Sequence, residues 1–256
     1  MQKKFKNKVI IITGGTKGVG KGVALACAQL GAKIVIAGRD EIAAEEILNE
    51  IQTLGSEGVF IKTDLTDVND CESLFKNTFL KFKRIDGFFN YAGITTASNL
   101  LECEENHFYS IFDTNVKGAL FCSKYAVKYM IETGGGSIIL TGSPHAWAGD
   151  KDRVAYACSK GTMITLTNHL AQHYASDGIR ANYITMGWTP TEGEIELRRK
   201  NGMSELELRN WASSFIPAGR MTEIDDLVPA IIFLLSDDSK MVSGSNFRIT
   251  GGWYLP

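Results

Sequence analysis

Short apolar runs rich in β-branched residues alternate along this chain with longer segments whose apolar positions recur at helical spacing. The first run, 9–13 (VIIIT), is four apolar residues closed by a threonine, as in a strand buried on both faces. Similar runs lie at 34–37, 59–62, 87–90, 137–141 and 179–184. The spacing between them predicts helices over 22–31, 41–54, 67–82, 104–131 and 154–176. This alternation predicts an α/β fold, a single-domain Rossmann-type doubly wound parallel sheet with right-handed crossovers and helices on both faces. There is no internal repeat beyond the alternation, no low-complexity tract and no Pro/Ser-rich linker, so one domain is expected over 1–256. Ligands of such sheets bind at the carboxyl ends of the strands, so the residues that follow each run are expected to converge.

The first of these turns reads T-G-G-T-K-G-V-G at 13–20, between the opening strand and a helix with an Ala/Leu/Val face. Strand, glycine turn and helix in that order form the context a dinucleotide site requires. Gly14 permits the tight turn, while Gly18 and Gly20 let backbone approach a pyrophosphate and let the helix approach the strand. The helix N-terminus offers N–H groups and a positive dipole to phosphates.

Tyr156 and Lys160 stand four residues apart, about one helical turn, and Ser143 lies thirteen residues before the tyrosine. A phenol titrates near pH ~10 and is a poor base at neutral pH. A fixed ammonium beside it favours the phenolate, giving a group able to exchange a proton with an alcohol or carbonyl oxygen. A serine hydroxyl can hydrogen-bond the same oxygen.

With the T-G-x-x-x-G-x-G spacing, these residues make the chain resemble the short-chain dehydrogenase/reductase family over essentially its whole length. Asp64 in T-D-L-T, N-Y-A-G at 90–93, N-V-K-G at 115–118, G-R-M-T near Gly219 and G-S-N-F-R-I-T-G-G at 244–252 follow in the family's order. The resemblance implies NAD(P)(H) as cofactor, with Asn115, Ser143, Tyr156 and Lys160 catalytic. It implies cofactor contacts from Gly14, Thr16, Lys17, Gly18, Val19, Gly20, Arg39, Asp64, Leu65, Asn90, Ala92, Gly93, Tyr156, Lys160, Gly187, Thr189 and Thr191. By the same resemblance Tyr156 exchanges the proton, Lys160 holds its pKa down and bonds the nicotinamide ribose, Ser143 stabilises the developing alkoxide, and Asn115 fixes a water beside Lys160. A C-terminal helix and a last strand, a substrate lid at about 186–215 and a homo-oligomer, a tetramer built on the long fourth and fifth helices, are also implied. Phe108, Phe112, Leu166 and Leu170 sit at helical spacing on those helices. Three positions depart from the family's pattern: Tyr91 for the second asparagine of N-N-A-G, Met186 for the proline of a P-G turn, and Thr250 for an aspartate before the final Gly-Gly.

The expected activity is interconversion of a secondary alcohol and a ketone by hydride transfer. A ketoacyl or steroid reductase, the epimerase or dehydratase branch, and a catalytically silent nucleotide-sensing member are the alternatives. NADP(H) is expected over NAD(H). Gly38 stands where NAD-using relatives carry an aspartate, and Arg39 and Lys17 can reach a 2′-phosphate, while Asp40 either repels it or caps the next helix. Residues 143–153 read S-P-H-A-W-A-G-D-K-D-R. His145, Trp147, Asp150, Asp152 and Arg153 there, facing Trp188 and Glu192 from the lid, suggest a small polar substrate such as a sugar or polyol.

Charge and cysteine content narrow the classes. Net charge is −2, from 27 Lys and Arg against 29 Asp and Glu, which gives no electrostatic case for nucleic acid or an anionic membrane. The five cysteines (27, 71, 103, 122 and 158) form no C-x-x-C or metal spacing, so reduced thiols, no metal and a cytoplasmic setting are expected. Cys158, at i+2 from Tyr156, points off the Tyr/Lys face and is expected to be a small packed thiol. His169 and His173 form an i, i+4 pair without the glutamate of H-E-x-x-H and are expected on the helix surface. The apolar run after the basic start is only 9–12, too short for a signal h-region or a membrane span.

Overall fold

All seven strands run parallel in one sheet of order β3-β2-β1-β4-β5-β6-β7 in the computed structural model, which describes residues 4–148 and 151–253. They are β1 (Val9–Thr13), β2 (Lys33–Gly38), β3 (Gly58–Lys62), β4 (Gly87–Asn90), β5 (Gly136–Gly142), β6 (Ile179–Met186) and β7 (Asn246–Ile249). Side chains of β1 alternate between two cores. Val9 and Ile11 join Phe75, Phe88, Tyr125 and Met163 on one face, while Ile10 and Ile12 join Val23, Ile47 and Ile231 on the other. This is why the run lacks polar positions: both its faces are covered. The strand order reverses between β1 and β4, and the crevice at such a switch point is where ligands lodge.

The helices are α1 (Gly18–Gln29), α2 (Glu41–Thr53), α3 (Val68–Phe82), α4 (Glu105–Phe112), α5 (Gly118–Glu132), α6 (His145–Ala148), α7 (Val154–His173), α8 (Glu192–Lys200), α9 (Glu205–Ser213) and α10 (Ile224–Leu235). Several starts are set by side chains. Asp40 accepts from Ala43 N at 3.0 Å to cap α2, Asp67 caps α3, and Ser204 with Glu207 forms a capping box on α9.

Two expectations change, at 104–131 and at Cys158. The helix predicted over 104–131 is two helices joined by a π-helical turn, Asp113–Lys117, which carries Asn115. Such turns insert a residue into a helix and are frequent at functional sites. The stretch beyond Met186 is built mainly of α8 and α9, which pack their own small core of Leu208, Ala212, Ile216 and Met221. Cys158 is exposed rather than packed, because the face of α7 opposite Tyr156 and Lys160 looks to solvent. His169 and His173 are exposed with rings 4.6 Å apart, and Phe108 and Tyr109 on α4 also stay exposed while Leu170 is buried. No helix among the described residues is long and apolar enough to cross a membrane.

Candidate active site

The glycine turn packs against the segment after β4. Gly14 and Gly18 have φ of 69° and 53°, the region in which a side chain is strained. A Cβ on Gly20 would lie 2.3 Å from Gly14 O, so the loop closes on its own backbone. Lys17 caps α1 without a side-chain acceptor, and the first turn holds no acidic residue, so the helix start keeps its positive dipole end unneutralised. These features fit a pyrophosphate. Tyr91, one of the departures, fills the space beneath. Its ring stacks on Phe89 at 5.7 Å, a Cβ on Gly20 would lie 2.9 Å from its Cδ1, and Val19 N–H lies against its hydroxyl. Burial pushes the Tyr91 phenol up to about 12. Thr16 is half-buried in the loop and Lys17 exposed. Thr191, the residue that caps α8, sets its methyl 3.1 Å from a Cβ built on Gly18, so the start of α8 rests on the loop.

The other expected cofactor residues line the same edge. Asn90 is buried and tied to both neighbours of β4: Thr13 Oγ1 donates to its Oδ1 at 3.2 Å, and Thr141 Oγ1 donates to its O at 2.6 Å. Ala92 N donates to Thr13 O at 3.1 Å. Asp64 accepts from Thr66 N and Oγ1 at 2.9 and 2.8 Å, and these bonds, with Arg39 nearby, hold its carboxyl below the usual range. A Cβ on Gly118 would meet Leu65 Cβ at 2.8 Å. Thr189 Oγ1 donates to Gly187 O at 3.2 Å, and a Cβ on Gly187 would meet Thr222 Oγ1 at 2.2 Å and Thr250 Cα at 2.8 Å.

Ser143, Tyr156, Lys160 and Asn115 converge where β4 and β5 end. The Ser143 hydroxyl faces the Tyr156 phenol and favours its ionised form, as does the charge of Arg153. Burial outweighs both, so the phenol sits above its ordinary value. Lys160 Nζ lies 5.7 Å from the Tyr156 ring centre and donates to Thr141 O at 3.0 Å. Burial pulls its pKa down to about 8. Lys160 is expected to hold the tyrosine's pKa down; at the phenol itself the Ser143 hydroxyl and the Arg153 charge act in that direction, against burial. The Asn115 side chain is spent as a brace. Oδ1 accepts from Ile94 N at 2.9 Å, and Nδ2 donates to Ile94 O at 2.9 Å and to Ser159 Oγ at 3.1 Å. Ser159 Oγ in turn donates to Tyr156 O at 2.7 Å. A Cβ on Gly93 would lie 3.0 Å from Asn115 Oδ1 and 3.7 Å from Lys160 Nζ.

The substrate candidates divide. His145 is held at the site, its N donating to Ser143 Oγ at 3.3 Å and its ring 6.0 Å from that of Tyr156. Arg153 donates to Thr95 O at 2.7 Å. Trp188 Nε1 donates to Glu194 Oε1 at 2.9 Å, and Glu194 is felt at Tyr156. Trp147 is exposed with Arg248 over its ring at 4.9 Å. Glu192 is exposed on the opening turn of α8 and acts on Lys21 of α1. Asp152 is exposed, with its O accepting from Ser98 N at 2.9 Å, and Asp150 lies outside the described residues.

Tyr183 on β6 was not singled out from the sequence. Its ring occupies the space over Gly142, where a Cβ would fall 1.9 Å from Cζ. Its buried hydroxyl accepts from Ser143 N at 3.2 Å and donates to Lys160 O at 3.3 Å. One phenol thus ties the serine to the helix that carries Tyr156 and Lys160. A glycine at 142 opposite a tyrosine two pairs along the neighbouring strand was the available signal, visible only once the register is known.

Two outcomes follow from this geometry. Tyr183→Phe is expected to lose about 1–3 kcal/mol of stability by denaturant titration, the cost of unpairing buried groups, and to lower turnover. Parental turnover would show that the hydroxyl does not position Ser143. Lys160 has a folded-state pKa near 8, below its unfolded value of ~10.4, so the unfolded chain binds more protons between these limits and stability rises with pH there. The parent is expected to gain stability relative to Lys160→Met as pH rises from about 7 to 10. A difference that stays flat with pH would show that the buried ammonium carries no such penalty.

The arrangement has counterparts in known proteins. Residues 14–254 match the family model described as enoyl-(acyl carrier protein) reductase. The chain is 31% identical over 254 residues to L-rhamnose 1-dehydrogenase (NAD(P)(+)) of Azotobacter vinelandii, covering 97% of each. It is 28% identical over 251 residues to a 3-oxoacyl-(acyl-carrier-protein) reductase of Salmonella typhimurium, covering 98% of this chain and 99% of that one. A solved short-chain type dehydrogenase/reductase of Mycobacterium marinum superposes with a TM-score of 0.91 at 29% identity, covering 99% of this chain and 98% of that one. With the glycine turn, the parallel sheet and these matches together, the chain belongs to the short-chain dehydrogenase/reductase family of oxidoreductases, enzymes that use NAD(P)(H).

Proposed function

We propose that this enzyme interconverts a secondary alcohol and a ketone on a small, hydroxylated substrate, with NADP(H) as the preferred cofactor. The observation that carries the reading is the Ser143 hydroxyl facing the Tyr156 phenol beside the buried Lys160 ammonium, at the strand ends next to the glycine turn. The nicotinamide supplies or takes the hydride when bound. Tyr156, held protonated by burial, donates its proton to the oxygen of a ketone under reduction and takes one back in oxidation. Ser143 bonds the same oxygen as charge develops on it, a contribution of about 3 kcal/mol at comparable sites. Lys160 places positive charge behind the phenol, and Arg153 adds to it.

A polar substrate is supported by the charges around Tyr156. Arg153 and Glu194 both act on it, and a hydrocarbon substrate would strip water from them without replacing its hydrogen bonds. The family relationship to a rhamnose dehydrogenase supports the same class. The relationship to a 3-oxoacyl reductase makes a ketoacyl thioester the informative control.

Preference for NADP(H) is supported at the end of β2. Gly38 has open space where a Cβ would stand, Arg39 is exposed beside it, and Lys17 Nζ lies 3.4 Å from Asp40 Oδ2. Asp40 caps α2, so its charge is committed to the helix start and to Lys17, leaving Arg39 to meet a 2′-phosphate.

Turnover of pyranoses, polyols, a ketoacyl thioester and a steroid ketone, followed by nicotinamide absorbance, tests the reading. Tyr156→Phe is expected to lower turnover by about 10²–10⁴-fold while cofactor still binds. Turnover at the parental level would refute the proton-transfer role. The parent is expected to show higher kcat/KM with NADPH than with NADH, and Arg39→Ala to cut that ratio roughly tenfold, the size of one charge-assisted hydrogen bond. A higher kcat/KM with NADH in the parent would refute the cofactor preference.

A further inference from the structure

The chain comes back to the site at its carboxyl end. After β7 it turns through Gly251 and Gly252, with φ of 61° and 78°. Side chains at these two positions would meet Ala218 Cβ at 2.9 Å and Pro217 Cβ at 3.2 Å. Ala218 N donates to Gly251 O at 2.9 Å, and Trp253 N donates to Thr250 O at 3.0 Å, which fixes the turn against the end of the lid. The turn sets the Trp253 indole perpendicular to the His145 ring at 6.2 Å, and His145 lies 6.0 Å from Tyr156. Trp253 also meets Phe215 at 5.9 Å and Trp188 at 6.3 Å. A continuous aromatic wall therefore runs from the catalytic tyrosine to the lid.

One edge of the wall carries a carboxylate. Glu194 Oε1 accepts from Trp188 Nε1 at 2.9 Å and from Arg198 Nε at 2.8 Å, so both bonds fall on one oxygen and Oε2 takes neither. Arg198 also lies over the Trp188 ring at 5.0 Å, which holds the indole and the carboxylate in fixed relation.

We propose that Trp253 is a specificity residue for hydroxylated rings. The C–H face of a pyranose or cyclic polyol lies on Trp253, and its hydroxyls bond Glu194, which holds the reacting carbinol at Tyr156 and Ser143. Aromatic faces are electron-rich, and C–H groups on carbons that bear oxygen are electron-poor, so the two attract. An acyclic diol has no such face to offer. This rests on the secondary-alcohol reading of the site given above.

The test compares trans-cyclohexane-1,2-diol and a set of aldohexopyranoses with acyclic butane-2,3-diol, using the parent, Trp253→Ala and Trp253→Phe. Trp253→Ala is expected to raise KM for a ring substrate about tenfold with little change in kcat, and to lower kcat/KM for the acyclic diol by a clearly smaller factor. Trp253→Phe is expected to keep most of the ring affinity. Quenching of tryptophan fluorescence by the ring substrate is expected in the parent and reduced in Trp253→Phe. Equal losses on ring and acyclic substrates, or no loss on rings, would overturn the proposal. A parent that oxidises butane-2,3-diol but no ring would overturn it while sparing the secondary-alcohol reading. A parent inactive on every alcohol and ketone tested would overturn both.

Discussion

A lysine ammonium buried at the carboxyl end of a parallel sheet is the constraint around which this site is arranged. Removing an ammonium from water is unfavourable, and this burial lowers the pKa of Lys160. The charge is tolerated because the end of β5 offers a carbonyl, Thr141 O at 3.0 Å, and because α7 holds the side chain's root in place. Everything that fixes α7 against the sheet therefore helps to hold the charge. Asn115 reaches Ser159 from the π-helical turn, Ser159 bonds Tyr156 O, and Tyr183 bonds Lys160 O. These contacts also align the Tyr156 phenol with Ser143, so support of the lysine and alignment of the phenol are one structure.

The electrostatics of that structure differ from a simple pairing of phenol and ammonium. Both groups are shifted toward their neutral forms by burial, and the counterweights on the tyrosine are Ser143 and Arg153. A protonated phenol close to a hydroxyl donor suits delivery of a proton to a developing alkoxide. Arg153 reaches its place because the residues before α7 pair with the segment after β4, with Ser98 N donating to Asp152 O at 2.9 Å.

The substrate side is built from pieces that share no local sequence. His145 follows β5, Trp188 follows β6, Phe215 ends the lid and Trp253 follows β7. Their rings meet because the three segments that carry them leave the same edge of the sheet, as parallel topology requires. The small core of Leu208, Ala212, Ile216 and Met221 packs partly against Trp188 and Trp253, so the position of α9 and that of the wall are coupled.

While Ser143 was added by the family resemblance, the sequence by itself determined the alternating strands and helices, the glycine turn and the pairing of Tyr156 with Lys160 on one helix face. These are matters of local periodicity and of residues one helical turn apart, and β1 reads as buried because nothing polar interrupts it before Thr13. It did not show the break at Asn115, because a π-helical turn leaves the apolar periodicity of the flanking helices nearly intact. Nor did it show Tyr183 as a neighbour of Ser143, or the shift of the Tyr156 and Lys160 pKa values toward their neutral forms. The first depends on strand register, which sets a tyrosine over Gly142, and the second on burial by residues distant in sequence. Trp253 likewise became a neighbour of His145 only through two left-handed glycines packed on the lid, a contact that is fixed by tertiary packing and has no local signature.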